Sequence, residues 1–210
     1  MKKEETVIVI GREFGSGGRS VGRILADRLG VAYYDTELLK AAARSEGLRE
    51  EVVVEHDERR PSLLKQLLQG LYGIPDNFHT VPLSGEMMHS VQSRVIRDLV
   101  GKGGCVIVGR AADVVLRDHP GLLSVFLHSP IERRVDRILE RGEAKNRNEA
   151  RDLALKHDRR RESFYNYFCG EKRWGVASNY HLSLDTSEMK AEEVADIIIG
   201  VAKGRTKSGG

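Results

Sequence analysis

Residues 10–20 read Ile-Gly-Arg-Glu-Phe-Gly-Ser-Gly-Gly-Arg-Ser and join a short apolar segment to an amphipathic one with helical spacing. Three glycines, Gly15, Gly17 and Gly18, fall within four positions directly before the predicted helix. Glycines in such a turn let successive backbone N–H groups point at one anion, and the helix N-terminus adds its positive dipole end. A tight turn can also use glycine for bending alone, but this density of glycine favours phosphate binding.

The turn departs from the P-loop pattern G-x-x-x-x-G-K-[ST], whose lysine reaches the β- and γ-phosphates and whose hydroxyl binds magnesium. Aligned on that pattern, Arg12 stands at the first glycine, Gly18 at the lysine and Arg19 at the hydroxyl, with Ser20 next. Arg12 or Arg19 must then supply the missing cation, and Ser20 is the hydroxyl placed for Mg²⁺. The predicted phosphate-binding residues are Gly15, Ser16, Gly17, Gly18, Arg19 and Ser20.

Five short apolar segments alternate with longer amphipathic stretches along the chain. The segments are residues 6–10, 31–34, 104–108, 123–127 and 181–184. This alternation is typical of an α/β protein in which helices cover both faces of a parallel sheet. We therefore expect an open five-stranded sheet with the glycine-rich turn after its first strand.

Three helices are predicted from apolar residues at helical spacing. The first ends at Gly30, where a C-terminal glycine is common. Another begins with Ser129 as N-cap and Pro130 at the first helical position. The last follows Ser187 and is expected to bury Val194, Ile197 and Ile198.

The 210 residues, 40% hydrophobic and 31% charged, are typical of one globular domain and exclude a peptide hormone, a disulfide mini-protein and a disordered chain. No window approaches the roughly 18 apolar residues of a membrane span, and the N-terminus carries no secretory signal. Cys105 and Cys169 stand far apart and predict structural thiols rather than a ligand cluster or a disulfide framework. A cytoplasmic location is therefore expected.

Positive charge is concentrated in residues 131–161, which hold 11 Lys and Arg against 7 Asp and Glu although the whole chain carries only +3. Such a segment can be a solvated helix face, an RNA contact or a clamp for a polyphosphate. Nine of the 11 are arginine, whose planar fork binds phosphate oxygens in pairs, so the composition favours phosphate. Some of these arginines must be solvated; the candidates for bound phosphate are Arg137, Arg141 and Arg161.

The residue types fit phosphoryl transfer, which asks a protein to position two phosphates and neutralise charge and needs no nucleophilic side chain. No Ser-His-Asp arrangement or metal-ligand spacing is present. Asp35 follows the second predicted strand, where open α/β sheets bind ligands, and it is either a site residue or the N-cap of the next helix. The predicted catalytic residues are Arg12, Arg19, Arg137, Arg141 and Arg161.

Further segments follow the turn in a fixed order. They are Tyr-Tyr-Asp at 33–35, His-Asp-Glu at 56–58, Val-Ile-Val-Gly-Arg at 106–110, Asp-Arg-Arg-Arg at 158–161 and Phe-Tyr-Asn-Tyr-Phe at 164–168. With Arg-Glu-Phe-Gly-Ser-Gly-Gly-Arg at 12–19, the chain resembles, over nearly its whole length, the cytidylate kinase-like family of P-loop nucleoside monophosphate kinases.

The resemblance implies one kinase domain with strand order 2-3-1-4-5. Its core comprises residues 1–35 and 103–203, with a helical nucleotide-binding insert at about 36–102, an arginine-rich lid at about 141–175 and a flexible tail at 204–210. Arg110 matches the family's arginine on the acceptor phosphate, and Asp158 and Arg161 match the lid pair on ribose and phosphates. Together with Asp35 they form the predicted acceptor-binding set. Val108 and Ala111 replace two aspartates of the family's third-strand motif.

The first expectation is transfer from ATP, with Mg²⁺, to a nucleoside monophosphate, CMP or dCMP leading. The second is a nucleotide-binding sensor or interaction module without transfer, because Gly18 replaces the lysine and Val108 and Ala111 replace carboxylates. A kinase for another small acceptor is the third, since a fold does not fix its substrate. The expected partners are small-molecule nucleotides, not nucleic acid or a membrane, and a homo-oligomer is compatible with the sequence.

Overall fold

The computed structural model of the protein describes residues 6–35 and 85–207. The chain divides into two compact units, one of residues 1–35 and 99–210 and one of residues 36–98. Most of the insert predicted at 36–102, including its His-Asp-Glu segment at 56–58, lies outside the described residues. All that follows concerns the first unit, which carries the sheet.

Five parallel strands form one sheet in the order β2-β3-β1-β4-β5. The strands are β1 (Val7–Arg12), β2 (Ala32–Tyr34), β3 (Cys105–Val108), β4 (Leu122–His128) and β5 (Leu182–Asp185). The central strand β1 pairs Val7 with Cys105 of β3 and with Leu122 of β4. Residues 7–10 are buried on both faces of the sheet, which is why β1 is an unbroken apolar run. The predicted fold class and strand order are confirmed.

Helices follow the strands along the chain. They are α1 (Gly18–Leu29), α2 (Gly85–Val100), α3 (Ala112–Val115), α4 (Ile131–Glu140), α5 (Arg147–Phe168) and α6 (Ala191–Lys207), with a 3₁₀ turn at Ala177–Asn179. Helix α1 ends at Gly30, whose φ of 59° is the left-handed C-cap predicted from the sequence. Val21 and Leu25 of α1 join Val194 and Ile198 of α6 in the main core cluster.

Three sequence expectations need correction. Ser129 does not cap α4, because the N-cap is Pro130 and the buried Ser129 hydroxyl has no hydrogen-bond partner among the described residues. Ile197 is 40% exposed, since it lies about 100° around the helix from the buried Ile198. Helix α6 reaches Lys207, so residues 204–207 of the predicted flexible tail are helical.

The parallel sheet gathers every strand's carboxyl end at one edge. The residues that leave this edge are the glycine-rich loop after β1, Asp35 after β2, Gly109 after β3, Ser129 after β4 and Thr186 after β5. Ligands of open α/β sheets bind outside these ends, so the topology alone selects this edge as the place to look for a site. None of the helices in the described part of the chain is apolar over a length that would cross a membrane.

Candidate phosphate-binding site

The loop of residues 13–17 uses two glycines for two different reasons. Both Gly15 and Gly17 have left-handed backbones, with φ of 86° and 87°. A Cβ on Gly15 would lie 2.9 Å from the Cβ of Arg134, so Gly15 permits close packing against α4. Around Gly17 a Cβ would meet nothing within 4 Å. Gly17 therefore borders open space at the start of α1.

The N-terminus of α1 is left free for an anion. Its N-cap Gly17 provides no side-chain hydrogen bond, and its first turn contains no acidic residue. The first intrahelical bond runs from the Val21 N–H to the Gly17 carbonyl, so the N–H groups of residues 18–20 precede the helical ladder. Unpaired N–H groups at the positive end of a helix dipole attract phosphate.

Two cavities open on either side of this helix end. The first, of about 260 Å³, is bordered by five arginines: Arg12, Arg19, Arg23, Arg141 and Arg161. The second, of about 200 Å³, is bordered by Arg137, Arg141, Thr186 and the apolar side chains of Met189 and Val194. Gly17, Ser20 and Arg141 border both cavities. The helix end thus lies between a strongly cationic cavity and a partly apolar one.

Asp35 holds two of the predicted catalytic arginines. Its Oδ1 accepts from Arg12 Nη2 at 3.2 Å, and its Oδ2 accepts from Arg19 Nε at 3.0 Å and from the Tyr33 hydroxyl at 3.5 Å. The carboxylate is 6% exposed. Asp35 therefore orients Arg12 and Arg19 towards each other; its alternative role as an N-cap concerns residues after 35, outside the described part of the chain.

Positive charge exceeds negative charge around Asp35. Burial and the neighbouring Arg161 guanidinium lower the pKa of Arg12 to about 9, although Asp35 opposes this shift. Burial also lowers the pKa of Arg110, which Asp35 again partly offsets. One carboxylate thus faces Arg12, Arg19, Arg110 and Arg161. Such a cluster is stabilised by a further anion, and a phosphate group supplies one.

The turn after β3 is strained at the same edge of the sheet. Gly109, Arg110 and Ala111 have consecutive positive φ values of 85°, 64° and 51°. Holding a non-glycine residue in this region costs roughly 1–3 kcal/mol and is common at functional sites. The strain fixes the direction in which Arg110, the residue predicted to bind the acceptor phosphate, leaves the sheet.

Helix α5 is attached to the loop through Asp158. Asp158 Oδ1 accepts from the Phe14 N–H at 2.7 Å and from Arg161 Nη1 at 3.2 Å, while Oδ2 accepts from Arg134 Nη1. The Phe14 ring also stacks on His157, with 4.4 Å between ring centroids. The resemblance implied that Asp158 contacts the acceptor, but here both oxygens are engaged by protein groups. In this structure Asp158 fixes the loop.

Arg161 lies between the loop and the first cavity. It donates to the Arg12 carbonyl at 3.4 Å, and its guanidinium lies 5.5 Å from the centroid of the Phe14 ring. Burial lowers its pKa, whereas Asp158 raises it. Its contacts hold it beside the cavity without neutralising the remaining arginines there.

Arg137 and Arg141 occupy different surroundings. Arg137 donates to the Thr186 hydroxyl at 3.1 Å and also to the Thr186 carbonyl, and it borders the second cavity. Arg141 pairs with Glu143 through two 3.1 Å hydrogen bonds and borders both cavities. The two predicted arginines are therefore at the helix end, one in each direction from it.

The two serines of the predicted set differ in exposure. Ser16 is 1% exposed, and its hydroxyl donates to the Glu13 carbonyl at 2.9 Å, so this side chain supports the loop from inside. Ser20 is exposed and borders both cavities. Mg²⁺ keeps several waters and binds through few protein oxygens plus substrate phosphates, so a single free hydroxyl fits it. The described residues contain no group of three or more His, Cys, Asp or Glu that would hold a metal by themselves.

Sequence reasoning missed three residues that shape the site. Arg134, 6% exposed, joins Asp158 to α4, and Thr186 donates its hydroxyl hydrogen bond at 2.9 Å to the Ser16 carbonyl. Arg23 borders the first cavity one helical turn after Arg19. The i, i+4 spacing of Arg19 and Arg23 was a signal for Arg23, and the position of Thr186 directly after β5 was one for Thr186. Nothing in the sequence distinguishes Arg134 from its exposed neighbour Arg133, which pairs with Glu188.

Solved structures with the same fold include several kinases. A structure of an uncharacterized protein from Eubacterium ventriosum has a TM-score of 0.69 and 25% identity, and the match covers 94% of this chain and 98% of that one. Shikimate kinase from Acinetobacter baumannii, in complex with shikimate, has a TM-score of 0.51 and 16% identity, covering 96% and 94%. APS kinase from Mycobacterium tuberculosis, in complex with AMPPNP and APS, has a TM-score of 0.51 and 17% identity, covering 95% and 98%. The chain thus has the P-loop kinase fold.

The comparison with curated proteins found no match. The sequence model of the cytidylate kinase-like family matches residues 7–188, from the start of β1 to beyond β5. This range includes the glycine-rich loop, Asp35, the strained turn after β3 and the arginines of α4 and α5. The chain therefore belongs to the cytidylate kinase-like family, as its motifs predicted.

Proposed function

We propose that the protein transfers the γ-phosphoryl group of ATP to the phosphate of a nucleoside monophosphate. The observation that carries this proposal is the first cavity, where five arginines surround the uncapped start of α1. Phosphoryl transfer depends on positioning and on neutralising charge that grows in the transition state, and this cavity provides both. Membership of a kinase-like family supports the same reaction class.

The polyphosphate of ATP fits the helix end, and the nucleoside fits the second cavity. The free N–H groups of residues 18–20 would bind phosphate oxygens, while Met189 and Val194 offer apolar surface for a base beside Arg137. Ser20 would bind Mg²⁺, which supplies charge neutralisation on the phosphates when bound. The proposed partners are thus small-molecule nucleotides, and the proposed location is the cytoplasm.

The carboxylates near the first cavity support a phosphate acceptor over a hydroxyl acceptor. A hydroxyl must lose a proton during transfer, whereas a phosphate monoester is already ionised at neutral pH. Asp35 is engaged by Arg12 and Arg19, and Glu143 by Arg141. Glu13 accepts from the Ser129 N–H at 2.9 Å. Each of these carboxylates already has a partner, so none is a free base.

The preference for CMP or dCMP rests on the family, because the insert expected to contact the base lies outside the described residues. A coupled ADP-release assay with ATP and Mg²⁺ against CMP, dCMP, UMP, AMP and GMP tests it. Turnover with CMP or dCMP well above the other acceptors supports the proposal. Equal rates with all five, or none, contradict it.

One observation favours a second function, nucleotide binding without transfer. Val108 at the end of β3 is 1% exposed and apolar where the family pattern has a carboxylate. Tight ATP binding without turnover on any acceptor would select this function.

Arginine variants separate the two functions. Arg19→Ala and Arg161→Ala should each reduce transfer by a factor of about 100 if they neutralise phosphate charge. Arg117→Ala is the matched control, because Arg117 is 70% exposed and pairs only with its neighbour Asp118 among the described residues. Rates equal to that control would remove Arg19 and Arg161 from the mechanism.

A further inference from the structure

The Arg12 side chain lies in a slot between two glycines, Gly18 and Gly109. A Cβ on Gly18 would lie 2.9 Å from Arg12 Cγ and 3.0 Å from Arg12 Cβ. A Cβ on Gly109 would lie 1.9 Å from Arg12 Nη1. Real Cβ atoms do not approach other heavy atoms this closely, so the slot admits Arg12 only while both positions are glycine.

The backbone gives Gly18 no other reason to be glycine. Gly109 has a φ of 85°, which by itself favours glycine. Gly18 instead begins α1 with an ordinary helical backbone, where any residue fits and glycine costs about 1 kcal/mol relative to alanine. The space needed by Arg12 is therefore the reason for glycine at position 18.

The slot also explains how the loop departs from the P-loop pattern. Position 12, a glycine in the pattern, is arginine here, and position 18, the pattern's lysine, is glycine. The two departures compensate each other, because the cation leaves the helix and returns on the end of β1. Resting on the proposed function, we propose that Arg12 contacts the polyphosphate tail in place of the P-loop lysine and that Gly18 is its steric counterpart.

The charge around the slot supports this role. Asp35 fixes Arg12 Nη2 at 3.2 Å, and the guanidinium borders the first cavity together with Arg19 and Arg161. The pKa of Arg12, about 9, leaves it charged at neutral pH. Arg19 is the competing candidate for the same role, but its side chain is 56% exposed and needs no slot. Only Arg12 requires glycine at position 18.

A mutant cycle between positions 12 and 18 tests the proposal. The variants are Arg12→Gly, Gly18→Lys and the double variant, which restores the P-loop pattern at both positions. Gly200→Lys is the matched control, because Gly200 lies on α6 and a Cβ there meets nothing within 4 Å. The readouts are the dissociation constant for ATP with Mg²⁺, turnover with CMP, and Tm.

We expect each single variant to weaken ATP binding at least 10-fold and Gly18→Lys also to lower Tm. The double variant should bind ATP at least 10-fold more tightly than either single variant and recover the Tm lost by Gly18→Lys. Gly18→Ala, which adds only the clashing Cβ, replaces Gly18→Lys in the cycle if the lysine variant does not fold. The control should match the wild type in all three readouts.

The proposal is overturned if Gly18→Lys alone binds ATP as tightly as the wild type, or if the two substitutions are additive. It is also overturned if Arg12→Gly leaves ATP affinity unchanged while Arg19→Ala abolishes binding. A wild type without turnover on any acceptor contradicts the proposed function but not this inference, because ATP affinity and Tm still measure the coupling. The two failures are therefore distinguishable.

Discussion

Replacing Asp158 by asparagine should destabilise the protein by breaking the junction between α5 and the glycine-rich loop. Asp158 is 8% exposed and binds Arg134, Arg161 and the Phe14 N–H. Arg134 is itself 6% exposed, so the variant leaves a buried guanidinium without its carboxylate. The asparagine carbonyl still accepts the Phe14 hydrogen bond, which limits the damage to the lost charge.

Removing one partner of a buried ion pair costs about 3–5 kcal/mol. Because the Phe14 hydrogen bond survives, we expect about 3 kcal/mol for Asp158→Asn, at the lower end of that range. In a chain of about this size, 1 kcal/mol shifts Tm by roughly 2–4 °C, so the expected loss is about 6–12 °C. Calorimetry and urea unfolding measure both quantities.

Asp196→Asn is the matched control for this substitution. Asp196 pairs with Arg28 at 2.5 Å, but the two side chains are 69% and 38% exposed. An exposed pair contributes at most about 1 kcal/mol, so the control should lose less than about 4 °C. A loss for Asp158→Asn no larger than that of Asp196→Asn would refute the assignment of Asp158 as the residue that fixes the loop.

Two further predictions concern pH and strain. Burial lowers the pKa of His157 below its ordinary 6.5, so the wild type loses stability as pH falls from 6.5 towards the folded pKa. His157→Phe keeps the stack on Phe14, and its stability relative to the wild type in urea should therefore rise between pH 8 and pH 5; a constant difference would contradict this. Arg110→Gly relieves a φ of 64° and should leave the free energy of unfolding unchanged or up to about 1 kcal/mol higher, while raising the KM for the acceptor. A loss of more than about 1 kcal/mol on urea unfolding, or an unchanged KM, would be inconsistent with strain held for function.

Local patterns were sufficient for most of the fold. The apolar run of residues 7–10 predicted the buried central strand because a strand covered on both faces is apolar at every position. Gly30 predicted the end of α1 because few residues other than glycine adopt its backbone easily. Ser129 and Ile197 were misassigned because capping and burial depend on neighbours from α4, α6 and the loop, which a local pattern does not contain.

The sequence by itself determined the parallel sheet, the glycine-rich loop at its carboxyl edge and the excess of arginine, since each follows from composition or from spacing along one segment. Only the tertiary structure decided which arginines are engaged and by what. Arg134 and Arg133 are adjacent in the chain, yet one is buried against Asp158 and the other is exposed beside Glu188. The slot of Arg12 needs Gly18 and Gly109, which lie on different elements. Contacts between residues distant in the chain form only when the strands pair, because packing and charge act through space rather than along the sequence.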